Sequence, residues 1–110
     1  MDNNQEFCEF VCNSFKLKSS LFMAKNAQYG INDPLANFRT TARCRYPELP
    51  EYEGMFKAAK DFMWKHIAHM TNGDTKASKL DESLGDIAVY AIIMEYIVKK
   101  ANETNEETKR

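Results

Sequence analysis

Apolar residues recur along the chain at three- and four-residue steps, in four stretches separated by turn-forming residues. From about Asn4 to Gln28, Phe7, Cys8, Val11, Phe15, Leu21, Phe22 and Met23 mark one face of a first helix. Tyr29-Gly30 closes it, because glycine accepts the left-handed conformation beyond a last turn. Asp33-Pro34 predicts the next start, an acceptor for free N–H groups followed by a proline at the first helical position. That shorter helix runs to about Arg45. Tyr46-Pro47-Glu48-Leu49-Pro50 is then a rigid connection that neither helix nor inner strand accepts.

The third helix, roughly Glu53 to Met70, rests on Met55, Phe56, Ala59, Phe62, Met63, Ile67 and Met70, and Thr71-Asn72-Gly73-Asp74 is a turn cluster. Ser78 with Asp81 resembles a weak capping box opening the last helix. Leu80, Leu84, Ile87, Ala88, Ala91, Ile92 and the run Met94 to Val98 follow. From Ala101 onward nothing remains to bury, which leaves one domain over 1–103 and a frayed polar tail over 104–110. The β-branched residues Ile92, Ile93, Ile97 and Val98 lie inside the strongest helical pattern, and no alternating segments flank a hairpin turn. The expected fold is all-α, a small helical bundle of about four helices. Because Ile87 to Val98 is apolar around much of its circumference, that stretch either sits centrally or faces a second subunit, and a homo-oligomer is expected.

Composition narrows the partners. Fifteen Lys/Arg against sixteen Asp/Glu leave a net charge of −1, without the positive field of a dedicated nucleic-acid surface. No apolar run approaches the ~20 residues of a membrane span. The polar start Met1-Asp2-Asn3-Asn4-Gln5-Glu6 lacks the features of a secretory signal, so a cytoplasmic protein is expected. Cys8, Cys12 and Cys44 match no zinc spacing and are expected as free thiols.

Three clusters carry candidate chemistry. On a helix, Glu82 and Asp86 lie one turn apart on one face, with Gly85 between them. Two such carboxylates suit Mg²⁺, which takes one or two and completes its shell with water and phosphates; a solvated acidic first turn is the plainer reading. Lys57, Asp61 and Lys65 form a ladder along one stripe, and a lysine opposite a carboxylate pair meets a phosphate as a point charge. His66 and His69 fit a helix C-terminal role, and zinc is not predicted. The stretch Lys25 to Phe38 gathers amides, a phenol and a helix start, groups that read a base or seat an anion, or merely cap. Phosphate-cradling and nucleophile-elbow motifs are missing.

Lys25-Asn26-Ala27-Gln28-Tyr29-Gly30, then Asp33-Pro34-Leu35-Ala36-Asn37-Phe38, then Lys65, then Glu82-Ser83-Leu84-Gly85-Asp86-Ile87-Ala88-Val89-Tyr90-Ala91 resemble small phage-encoded proteins of nucleotide metabolism. These are similar in turn to the all-α MazG-like and dimeric dUTPase-like nucleotide pyrophosphohydrolases. The resemblance covers roughly Leu21 to Val98. It implies an oligomeric helical bundle in which carboxylate-held Mg²⁺ binds a nucleoside triphosphate and water attacks between the α- and β-phosphates. Glu82 and Asp86 would then be metal ligands, with Asp61 from the middle helix, and Lys65 a phosphate contact. Tyr29, Asn37, Tyr90 and Lys57 would line the substrate pocket. The chain departs from the family's Glu-x-x-Glu and Glu-x-x-Asp pattern, having Ser83 three before Asp86 and Asp61 alone on the middle helix. The alternative expectation is therefore a non-catalytic module that sequesters a nucleotide or blocks a host protein.

Overall fold

The structure, a computed structural model, describes residues 2–29, 33–73 and 76–109, with side chains throughout these except at 25–29, 78 and 105–109. It is all-α: α1 (Asn3–Tyr29), α2 (Ala36–Arg45), α3 (Glu51–Asn72) and α4 (Ala77–Lys109), with no strand among the described residues. The chain divides into two compact units, Met1–Asn32, which holds α1, and Asp33–Arg110, which holds the other three helices. No helix is long and apolar enough to cross a membrane among the described residues.

The helix ends show where local chemistry decides. Asp2 starts α1, its carboxylate accepting the Gln5 N–H at 2.7 Å, an N-cap bond that satisfies a free donor. Asp33 acts ahead of α2 rather than as its cap. Its Oδ1 accepts the Leu35 N–H at 3.0 Å and its carbonyl the Ala36 N–H at 3.2 Å. Pro34 thus stands in a turn, and the helix begins at Ala36, two residues later than the proline predicts. α3 begins at Glu51, directly after Pro50, and ends at Gly73, whose N–H donates to the His69 carbonyl at 2.9 Å. Thr71 and Asn72, expected in a turn, belong to its last turn; Asp74 lies outside the described residues.

α4 opens on the Lys76 carbonyl, which accepts the N–H groups of Lys79 and Leu80, each at 3.0 Å. Ser78 therefore falls inside the first turn, not at a cap. Past Ala101 the helix continues to Lys109. Lys99 and Lys100 reach Glu103 at 3.8 and 3.3 Å, and the Thr104 hydroxyl donates to the Lys100 carbonyl at 3.1 Å. Such one-turn pairs support a helix by a few tenths of a kcal/mol each, which sustains the turns that have no apolar face.

In the second unit the core gathers Leu35, Phe38 and Ala42 from α2 and its approach, Met55 and Ala59 from α3, and Ile97 from α4. Ile97 is its largest fully buried side chain, at 1% exposure. Phe56, Phe62, Tyr90, Ile93 and Met94 pack against it. α3 lies between α2 and α4 in contact with both. Two cross-helix pairs set the α3–α4 direction. Phe62 meets Tyr90 and, one turn further along α3, His66 meets Asp86, one turn back along α4. The two helices are antiparallel.

α2 approaches α3 at small residues. A Cβ added at Gly54 would lie 2.9 Å from the Ala42 Cβ, and Ala58 and Ala59 are fully buried beside it. Glycine in a helix costs about 1 kcal/mol against alanine, and here the close approach explains why it stands there. Gly54→Val is expected to destabilise the second unit by about 1–3 kcal/mol through overpacking, and Ile97→Ala by about 2–5 kcal/mol through cavity formation. Urea unfolding followed by circular dichroism reads both; midpoints equal to the parent's would show that neither contact holds this unit together.

Candidate functional site

The α3–α4 seam turns polar at one end. From the apolar pair Phe62 and Tyr90, whose rings are nearly parallel with centroids 6.2 Å apart, the next turn brings the His66 ring 5.7 Å from Tyr90. There His66 Nδ1 lies 3.5 Å from Asp86 Oδ2, an ion pair when the imidazole is protonated. Phe38 of α2 meets the rings of Phe62 and Tyr90 edge-on, at 5.8 and 6.4 Å. The result is an aromatic wall from three helices with a carboxylate and an imidazole at its edge. Burial raises the Tyr90 phenol above its ordinary value, with the Asp86 charge adding to it.

The sequence-predicted residues divide among several places. Asp86 and Tyr90 share this seam. Glu82, one turn before Asp86, is exposed, with Lys79 Nζ 3.9 Å from its carboxylate. Ser83 is buried on the inner side of α4. Lys65 is exposed next to His66, and Asn37 is exposed on α2 next to Phe38. Asp61 shares a stripe of α3 with Lys57 and Lys65, but its carboxylate turns to the connection after α2. Its Oδ2 accepts the Tyr46 hydroxyl and lies 3.5 Å from Arg45, while Lys57 Nζ stands 5.5 Å from the Tyr46 ring centroid. The reason is tertiary: the connection after α2 delivers a phenol and a guanidinium to that face of α3. The side chain of Tyr29, like Gly30, lies outside the described residues.

Among the described residues no group of three or more His, Cys, Asp or Glu side chains gathers as a metal ion would need. The donors fit a resident magnesium poorly. Glu82 and Asp86 supply two hard oxygens on one helix, and Asp61 is engaged with Tyr46 and Arg45. Cys8, Cys12 and Cys44 are free and exposed.

A concavity lies at the other end of the unit. A cleft of about 450 Å³ is lined by Asp33, Arg39, Tyr52, Met55, Tyr96 and Lys100, among others. Its floor is core, and its cations are already engaged. Arg39 bonds Asp33 and lies 2.6 Å from Glu51, and Lys100 pairs with Glu103. The basic and aromatic stretch Arg43 to Tyr46 is neutralised likewise, Arg43 by Glu51 at 3.7 Å and Arg45 by Asp61. This cleft reaches Ile97, eleven residues along α4 from Asp86 or about 16 Å of helix. The turn at Asp33 and the Glu82/Asp86 pair therefore do not converge.

His66 is the residue that sequence reasoning placed in a dipole role and the structure places in the site. Its signal was the one-turn spacing from Phe62, matched on α4 by that from Tyr90 to Asp86. That match has meaning only once the antiparallel register is known.

Tyr46 is raised by donating to Asp61, and Tyr90 chiefly by burial. A phenol raised on folding favours the neutral form in the native state, so this stabilisation is fully present below its ordinary value of 10.0 and is lost as pH rises beyond it. The melting temperature is expected to fall above about pH 10, and Tyr46→Phe to lessen the fall. A slope unchanged in that variant would remove Tyr46 from the account.

Compared with protein families, curated proteins and solved structures, the chain matches none of them.

Proposed function

We propose that the chain binds a magnesium–nucleoside triphosphate at the α3–α4 seam and holds it without turnover. One observation carries this reading. Asp86 and His66 meet at the edge of the Phe38, Phe62 and Tyr90 wall, with Glu82 one turn before Asp86 and Lys65 beside His66. The half-buried rings of Phe62 and Tyr90, backed by Phe38, offer apolar surface to a nucleoside. Lys65 offers positive charge to phosphates, and the His66 imidazole offers a ring nitrogen to hydrogen-bond them. Glu82 and Asp86 reach the magnesium that the triphosphate brings with it, as a hard ion keeping most of its water accepts one or two carboxylates. Sequestration is favoured over hydrolysis because the acids beyond this pair are engaged elsewhere, Asp61 above all.

Hydrolysis is the second reading, favoured by the same pair. With Nδ1 facing Asp86, the imidazole's Nε2 is the nitrogen left to accept a proton from an attacking water.

Calorimetry with a panel of nucleoside triphosphates and Mg²⁺ tests both. Binding with intact ligand recovered is expected, weakened about tenfold, or ~1.4 kcal/mol, by Asp86→Asn and also weakened by Lys65→Ala. Pyrophosphate released faster than by a Glu82→Gln/Asp86→Asn double variant would establish hydrolysis instead. Heat-silent titrations with every triphosphate, confirmed by equilibrium dialysis, would end the nucleotide reading altogether.

A further inference from the structure

α1, taken by itself, exposes Phe7, Phe10, Leu17 and Leu21 at 65%, 69%, 62% and 55% of their surface. With Ser14 and Ala24 they occupy the two seam positions of a seven-residue repeat across three heptads, the pattern by which one helix packs along another. Large apolar side chains in such a stripe mark an interaction surface. A lone helix of this kind also depends on packing rather than on propensity for its stability.

The charges indicate what covers the stripe. Asp2, Glu6 and Glu9 stand at the N-terminal end, and Lys16 and Lys18 follow the midpoint. Side by side and parallel, two copies of α1 would set acid beside acid and lysine beside lysine. Antiparallel, with the two-fold axis at the level of Cys12, the acidic end of each copy lies level with the basic end of the other. The same alignment sets Phe7 level with Leu17, Phe10 level with Ser14 and Leu21 level with Asn3, so at the centre of the overlap a large ring faces a small side chain. It also opposes the two helix dipoles. We propose that α1 is the surface by which two copies of this chain associate, as an antiparallel helix pair.

Sedimentation of the full chain is expected to show a dimer, and Phe10→Glu/Leu17→Glu a monomer whose α2–α4 unit still unfolds cooperatively. Because that variant alters the helix strongly, a gentler one accompanies it. Glu6→Lys/Glu9→Lys, at exposed sites, is expected to weaken the dimer about tenfold at low salt, with the loss shrinking as salt screens it. Spin labels at position 5, with Cys8, Cys12 and Cys44 replaced by serine, should lie about 20 Å apart or more along an antiparallel pair. A monomeric parent, a dimer undiminished in the Phe10/Leu17 variant, or labels in direct contact would each overturn the proposal. None of these outcomes bears on the nucleotide reading, which concerns α3 and α4.

Discussion

The second unit depends on the register in which α3 and α4 run past each other. Met55 and Ile97 belong to its buried centre, Phe62 and Tyr90 form the next layer, and His66 and Asp86 close it where the core gives way to solvent. Each layer is about one to two turns from the last on both helices, so sliding one helix by a residue would rotate every layer out of contact. The buried contacts are few, which makes each of them weigh heavily in a unit of this size. The polar pair owes its position to the apolar ones: the stack of Phe62 and Tyr90 one turn away helps to hold His66 and Asp86 within reach.

α2 completes the unit through a different constraint. Its closeness to α3 rests on the absence of side-chain bulk at Gly54 and on the small size of Ala42, Ala58 and Ala59. The approach brings Phe38 against both other helices' rings and carries Tyr46 and Arg45 to Asp61. The tight α2–α3 contact thus shapes the chemistry at a distance. It takes Asp61 away from any acidic cluster, while Asp86 meets an imidazole across the seam. Exposed ion pairs such as Arg43 with Glu51 add little, typically 0–1 kcal/mol, and decorate a geometry that packing has already set.

The order and character of the elements were legible along the chain. Helical periodicity located all four helices, and the prolines at 47 and 50 and Gly73 marked real boundaries. The errors lie at the ends, where one or two hydrogen bonds decide. Asp33 bonds Leu35 in a turn instead of capping from Pro34, and a backbone carbonyl, Lys76, opens α4 where a serine was expected to act. Of the candidate site, Asp86 and Tyr90 were legible together because they share one face of one helix. His66 was not, because its partners lie on another helix.

Sequence alone determined that this is an all-α chain, with four amphipathic stretches and a one-turn acidic pair on the last of them, because periodicity and turn chemistry are local. It also recorded the segregation of charge along α1. Tertiary structure alone decided which carboxylate meets which partner. Asp61 and Asp86 look interchangeable as isolated letters, yet one receives a phenol and a guanidinium and the other an imidazole beside an aromatic wall. That difference follows from helix register and from the closeness allowed at Gly54, properties of pairs of helices that no single segment contains.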